Sequence, residues 1–410
     1  MLSKRAQALK PSPTMAMANK ARELGDQGHD VVSLTVGEPD WPTFKVAAQA
    51  AVKAIEEGFT KYTAAAGIPE LRNLIAKRTS EEVGVNYTGA QVVVGAGAKF
   101  VIYALLQMLV EEGDEVLIPS PYWVSYPTMA ELAGAQAKII ECGLNENFKL
   151  SPELLEKSIT AKTKVLILCS PSNPTGLMYT KQELSQLAKV IEKHPKLIVI
   201  SDDIYDKLVF QSQKKNLIED PDHIFRAPHL LASAPALKDQ MILVNGASKT
   251  FSMTGWRVGW ALGPEALMKV TADFMSQSTS NVTSISQKAV LAALQGGVPE
   301  LKVAVEKLEF KRDRMLKKFQ TLKHFQVIPP DGAFYFWVKV DSIFGKKVPG
   351  HAVISNSKDL AAVLLEKYFV ATVPGIEFGT EGYLRLSIAA SDKQLDQAYE
   401  RFLKFESELA

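Results

Sequence analysis

"VLILCSPSNPTGLMY", residues 165–179, begins as an apolar run and then places two prolines, an asparagine and a glycine within a few positions. Proline fixes φ, while asparagine and glycine supply turn conformations, so Asn173-Pro174 and Thr175-Gly176 read as backbone held in one shape. A loop with no task needs less constraint. In an α/β sheet, ligands sit beyond the carboxyl ends of the strands, so a rigid segment just past a strand bears on the fold and the site together.

The same texture extends to both sides. Gln91–Val94, Glu115–Ile118, Ala137–Ile140, Leu197–Ile200, Met241–Val244 and Arg257–Ala261 read as further strands, several of them bounded by Pro or Gly. Helical spacing over 98–110, 181–194 and 285–295 falls between or after them. Nearly continuous apolar strands with intervening helices imply a mostly parallel sheet sandwiched by helices. Beyond residue 300 the pattern changes. A charged helix over 301–320 precedes the β-rich 333–340, a helix near 358–367, a strand at 383–389 and a last helix from 391. The expected architecture is α/β: an N-terminal arm (1–40), a large domain (41–298) and a smaller α+β domain (299–410). The charged helix 301–320 is expected to be a solvated face or a bridge between the two domains.

Composition narrows the function. Of 410 residues, 47% are hydrophobic and 22% charged, as in ordinary globular proteins. Lys plus Arg less Asp plus Glu is 47 − 45 = +2, which provides no basic field for nucleic acid or an anionic membrane. No apolar stretch is long enough to span a bilayer, and the N-terminus has no apolar core of a secretory signal. The two cysteines, Cys142 and Cys169, can form neither a disulfide framework nor a metal cluster by themselves. A cytoplasmic protein without a metal centre is expected.

The segments just past the strands carry the chemistry. Gly95-Ala96-Gly97-Ala98-Lys99 places small residues at a helix N-terminus, where backbone amides can approach an anion; a tight packing turn is the plain alternative. The G-x-G here does not indicate a dinucleotide fold, since Phe100 stands at the third glycine position and Glu115 at the start of the next strand, not its end. "SDDIYDK" (201–207) sets Asp202 at a strand exit with Tyr205 just after it. A lone Asp is as often a cap or a salt-bridge partner. "NGASKTFSMTGWRVGW" (245–260) holds Lys249 among small residues and Arg257 eight positions on. A partly desolvated lysine near other cations becomes a nucleophile for carbonyls, whereas a solitary one is usually a surface charge. "SPYWVSYP" (120–127) offers aromatic faces outside a strand, and "YLRLSIA" sets Arg385 in an apolar strand, either paired structurally or awaiting a planar carboxylate. One chemistry uses every part. Pyridoxal phosphate needs a lysine for its Schiff base, a carboxylate at its ring nitrogen, donors at its phenolic oxygen, a phosphate cup and an arginine for the amino-acid carboxylate.

The chain resembles the fold-type I pyridoxal-phosphate enzymes of the class I aminotransferase family. It is most similar to the bacterial-type aspartate aminotransferase subgroup that includes aspartate/prephenate enzymes. "KPSPTMAM", "SLTVGEPD", "KYTAAAGIPELR", "GAGAK", "PSPYWVSYP", "SPSNPTG", "SDDIY", "NGASKTFSMTGWRVG", "DGAFYFW" and "YLRLSIA" occur in the family's order over nearly the whole chain. The resemblance implies that Lys249 is the Schiff-base lysine and moves the proton in transamination. It implies Asp202 at the pyridinium nitrogen, Asn173 and Tyr205 at the phenolic oxygen, and Trp123 stacked on the ring. The phosphate falls to Ala98, Lys99, Ser248, Arg257 and Tyr62 of a neighbouring copy in a homodimer. The substrate α-carboxylate falls to Arg385 with Asn173, Trp123 and Gly37. For the distal carboxylate the subgroup uses a lysine, a threonine and a serine, matched here by Lys99, Thr14 and Ser276, while Lys10 matches a lysine associated with prephenate. This sequence departs from the pattern at Asp203, where Glu is common, at Gly246, where many relatives carry a hydroxyl, and at "EPDWPTF", where Trp41 is added.

The function so implied is transamination of aspartate or glutamate with their 2-oxo acids, with prephenate as an additional acceptor. An aromatic or alanine aminotransferase is the runner-up, and a lyase on the same fold stands further back. A ligand-sensing domain of a transcription regulator would need a DNA-binding domain ahead of the "TVGEPD" segment, and only 34 residues precede Thr35.

Overall fold

The computed structural model describes residues 1–3, 6, 7, 9 and 11–410. Its centre is a seven-stranded sheet. In chain order the strands are β1 (Val92–Gly95), β2 (Glu115–Ser120), β3 (Gln136–Glu141), β4 (Thr163–Cys169), β5 (Ile198–Asp202), β6 (Met241–Gly246) and β7 (Gly259–Leu262). Their spatial order is β1-β7-β6-β5-β4-β2-β3. The β2/β3, β2/β4, β4/β5 and β5/β6 pairs are parallel. Strand β7 runs antiparallel to both of its neighbours. The strand expected over Arg257–Ala261 therefore starts later, at Gly259, because Arg257 takes a left-handed φ of 56° that no strand accommodates.

Burial follows position in the sheet. All four residues of β1 are buried, as are Val165–Leu168 of β4, so central strands read as unbroken apolar runs. Edge strand β3 buries Ile140 and exposes Gln136, Ile139 and Glu141. The helix Ala98–Leu109 follows β1 directly, and Lys181–Ile191 opens with a capping box between Thr180 and Glu183.

A second, four-stranded antiparallel sheet is built from β8 (Gln326–Ile328), β9 (Tyr335–Lys339), β10 (Val373–Pro374) and β11 (Tyr383–Ser387), ordered β8-β9-β11-β10. The helices Ser357–Tyr368 and Asp392–Glu408 accompany it. Residues Val32–Ser33 pair in parallel with Val370–Ala371 in a separate two-stranded sheet, which ties the start of the chain to the segment just before β10. The charged helix Val298–Phe319 is amphipathic: Leu301, Val305, Leu308, Arg312, Met315 and Phe319 are buried while Val303 and Phe310 face out. Among the described residues no helix is long and apolar enough to cross a membrane.

Candidate active site

Six strand ends of the large sheet open on one cavity of about 350 Å³, within the ~300–1,000 Å³ of small-molecule sites. Ala98 and Lys99 follow β1, Trp123 and Tyr126 follow β2, and Asn173 follows β4. Asp202 and Tyr205 come from the exit of β5, Ser248 and Lys249 follow β6, and Arg257 precedes β7. Thr14, Gly37 and Glu38 from the N-terminal part, with Tyr335 and Arg385 from the small sheet, close the other side.

Lys249 sits in the short helix Ala247–Thr250 and donates from Nζ to the Gly37 carbonyl at 2.5 Å. Burial pulls its pKa from the ordinary 10.5 to about 8; Glu38 opposes this, while Arg385 and Arg257 add to it. Roughly a tenth of this amine is therefore uncharged at pH 7, far more than for an ordinary lysine, and able to attack a carbonyl. Asp202, the last residue of β5, is buried, and its Oδ2 accepts from the Tyr126 hydroxyl at 2.6 Å while Oδ1 accepts from the Ile204 amide at 3.3 Å. Burial raises its pKa to about 6, against the lowering effect of the Tyr126 bond. Neither partner is a cation, so a protonated ring nitrogen set against it would recover the charge it loses by burial.

The turn after β1 forms an anion cup. Gly97 (φ 88°) caps the helix Ala98–Leu109, whose first amides are free of intrahelical partners. Arg257 donates to the carbonyls of Ala96 (3.2 Å) and Thr254 (3.0 Å). A Cβ at Gly97 would lie 2.6 Å from Arg257 Nη2, and one at Gly259 would lie 2.2 Å from the Ala98 nitrogen, so both positions require glycine. Lys99 Nζ stands 4.9 Å from the Trp123 ring centroid, and its pKa is lowered by burial and then by Arg257. Arg257, Lys99 and the start of this helix line the same cavity.

Arg385 is only 2% exposed. Nη1 donates to Asn173 Oδ1 at 3.1 Å and Nη2 to the Thr35 carbonyl, while Nε has no partner. Among the described residues it has no carboxylate partner, and its guanidinium lies against the rings of Tyr335 (4.5 Å) and Phe378 (5.1 Å). A buried, oriented guanidinium without a counter-ion is arranged for a planar anion.

The family model for "Aminotransferase class I and II" matches residues 29–402. The chain belongs to this family. A "Probable aspartate/prephenate aminotransferase" of Rickettsia felis is 44% identical, with 97% of this chain and 94% of that protein covered. The crystal structure of the aspartate aminotransferase from Rhizobium meliloti superposes with a TM-score of 0.94 at 34% identity, covering 100% of both chains. The aspartate aminotransferase of Thermus thermophilus with maleate gives 0.89 at 37% identity, covering 98% of this chain and 99% of that one.

Aminotransferases of this class depend on pyridoxal phosphate, and the donor set here fits that group. The cup at Gly97–Lys99 and Arg257 suits a phosphate, buried Asp202 suits a ring cation, and Lys249 is poised to attack an aldehyde. Of the residues singled out from the sequence, Tyr62 and Ser276 do not line the cavity of their own chain. Tyr62 is 91% exposed and Ser276 is exposed on the helix Glu265–Ser278. Lys10 lies outside the described residues. Thr14 does line the cavity, from the first turn of the helix Pro13–Asp26.

Two tyrosines that contact the site residues were not singled out from the sequence. Tyr126 bonds Asp202, and Tyr335 meets the Tyr205 hydroxyl at 2.8 Å. Tyr126 stood in the aromatic segment 120–127 without a role of its own, and Tyr335 in the β-rich run 333–340. The available signal for Tyr126 was its place three residues after Trp123 on the same constrained turn.

Proposed function

We propose that this aminotransferase exchanges the amino group between L-aspartate or L-glutamate and their 2-oxo acids, with prephenate as an additional acceptor. The observation that carries the reading is the convergence of Lys249, Asp202 and the unpaired Arg385 on one cavity. The name of the Rickettsia relative and the dicarboxylate maleate in the Thermus structure support the choice of substrate.

Pyridoxal phosphate supplies the electron sink for bond breaking at the substrate's Cα. Asp202 holds a proton on the ring nitrogen, and Tyr126 keeps the Asp202 carboxylate oriented. Asn173 and Tyr205 donate to the phenolic oxygen, and Trp123 covers the ring. Ala98, Lys99, Ser248 and Arg257 hold the phosphate. Lys249 would hold the cofactor through its amine and, as the free amine, would move the proton at the substrate's Cα. Arg385 grips the α-carboxylate with two parallel N–H bonds, aided by Asn173 and Gly37. Lys99 and Thr14 meet the distal carboxylate. Lysine is a less directional carboxylate binder than the arginine fork, which suits acceptance of more than one dicarboxylate.

The working unit in this reading is a homodimer. Tyr62 is exposed, and so are Val52 and Ile55 of one helix and Val270 of another, each large apolar side chain at least 45% exposed. A second copy seated there would carry Tyr62 to the neighbouring phosphate cup and Ser276 to the neighbouring distal site. Sedimentation at twice 45.0 kDa would agree with this, and a monomer would refute it. The free thiols Cys142 and Cys169 suit a reducing cytoplasm.

The deciding experiment is the absorbance spectrum of the cofactor-loaded protein before and after L-aspartate. A visible band that gives way to a near-ultraviolet one with aspartate, and returns with 2-oxoglutarate, is the expected result. A band indifferent to both compounds would overturn the substrate, and no band after reconstitution would overturn the cofactor.

A further inference from the structure

Tyr335 opens β9 and is 1% exposed. In the small sheet Trp337 lies directly opposite Arg385. Alternation along the strand therefore puts Tyr335 on the same face as that arginine. Its ring centroid lies 4.5 Å from the guanidinium carbon, and that of Phe378 lies 5.1 Å from it. Its hydroxyl lies 2.8 Å from that of Tyr205, which comes from the other sheet. One side chain thus touches the carboxylate-binding group and a group facing the cofactor.

Either hydroxyl of the pair can donate, and among the described residues each is the other's hydrogen-bond partner. Gly37 packs against the Tyr335 hydroxyl: a Cβ there would lie 2.3 Å from that oxygen. Both tyrosines line the cavity. A tyrosine hydroxyl has one proton, so once Tyr205 gives its own to an acceptor in the cavity, Tyr335 must be the donor to the Tyr205 oxygen.

We propose that Tyr335 is a positioning residue with two roles: its ring sets the plane of Arg385, and its hydroxyl orients the Tyr205 hydroxyl so that the Tyr205 proton points into the cavity. This rests on the transaminase reading, in which Tyr205 donates to the phenolic oxygen. Such a donated bond favours the anionic oxygen and eases loss of the neighbouring proton, so weakening it raises the pH midpoint of the cofactor's visible absorbance change.

The test is a double-mutant cycle read by that midpoint in cofactor-loaded protein without substrate. Tyr335→Phe, which keeps the ring, is expected to raise the midpoint by about half a unit to one unit. Tyr205→Phe should raise it at least as far, and the double variant should match Tyr205→Phe. Tyr335→Leu, which removes the ring, should weaken maleate binding about 3- to 10-fold while the cofactor stays bound. A midpoint unmoved by Tyr335→Phe but moved by Tyr205→Phe, or additive shifts in the double variant, would overturn the proposal alone. A midpoint indifferent to Tyr205→Phe would remove the cofactor role of Tyr205, and this proposal with it. A merely structural Tyr335 would lower the melting temperature and leave midpoint and maleate affinity unchanged. Should Tyr335→Leu fail to fold, the midpoint cycle decides.

Discussion

Lys207 and Lys249 are both largely enclosed lysines on segments that leave adjacent strands, β5 and β6, yet their charges meet opposite fates. Lys207 Nζ contacts Glu82 at 2.5 Å and Asp220 at 3.5 Å. Burial pulls its pKa down, but Glu82 and Asp206 more than compensate and the pKa ends raised. Lys249 has the Gly37 carbonyl instead, and its pKa falls to about 8. Two buried arginines repeat the contrast. Arg312 meets Glu309 at 3.0 Å and Asp313 at 2.6 Å, whereas Arg385 has no carboxylate among the described residues. A buried cation with its counter-ion built in belongs to the scaffold. One left without is held ready for a ligand that brings the counter-charge.

The contrast can be broken from either side. Lys249→Ala should reduce turnover of aspartate by about 10⁴-fold or more, since nucleophile and proton carrier vanish together. The fold should survive. Lys249→Met should even raise the melting temperature at pH 7. The lysine's folded pKa lies below its unfolded value, so the native state binds fewer protons between about pH 8 and 10.5. Stability rises with pH across that window, and the penalty of burying the charge is fully present below it.

Lys207→Met should do the reverse and cost about 3–5 kcal/mol of stability, because Glu82, Asp206 and Asp220 are left together without their cation. Asp206 already has a pKa raised to about 7. Carboxyl groups with raised folded pKa values take up protons in the native state, so the variant's deficit should shrink as pH falls from 8 toward 6. Urea denaturation at the two pH values checks this, and a deficit independent of pH would break the comparison.

Arg385→Lys keeps the charge and loses the fork. It should lower kcat/KM for aspartate about 100-fold with stability little changed. The smallest effect is expected at the cavity mouth. Lys99→Gln should raise the KM for aspartate about 10-fold and that for alanine much less, and equal increases would remove Lys99 from distal-carboxylate recognition.

The same distinction explains what the sequence disclosed. Lys249, Asp202, Asn173 and Arg385 could be named because each is a charge or amide at a strand end or in an apolar run, where burial demands a reason. The central strands were legible from their apolar runs, though β7 starts two residues later than its pattern suggested, because the left-handed turn at Arg257 carries no apolar signature. Tyr126 and Tyr335 stayed without a role, because a tyrosine's part in a site is not visible until its hydroxyl's partner is known. Those partners lie 76 and 130 residues away. Tyr62, named from the family resemblance, is exposed and does not line the cavity of its own chain, so the role proposed for it depends on a second copy.

The bond from Arg385 to the Thr35 carbonyl spans 350 residues, and Val32–Ser33 pairs with Val370–Ala371. During synthesis at ~5–20 residues per second, the two ends of that bond emerge roughly 20 to 70 s apart. Every strand of the large sheet, Lys249 and the phosphate cup leave the ribosome within that interval. A nascent chain thus acquires the parts that hold the cofactor well before the arginine that holds the substrate, and the amine is made before the group that would deliver its reactant.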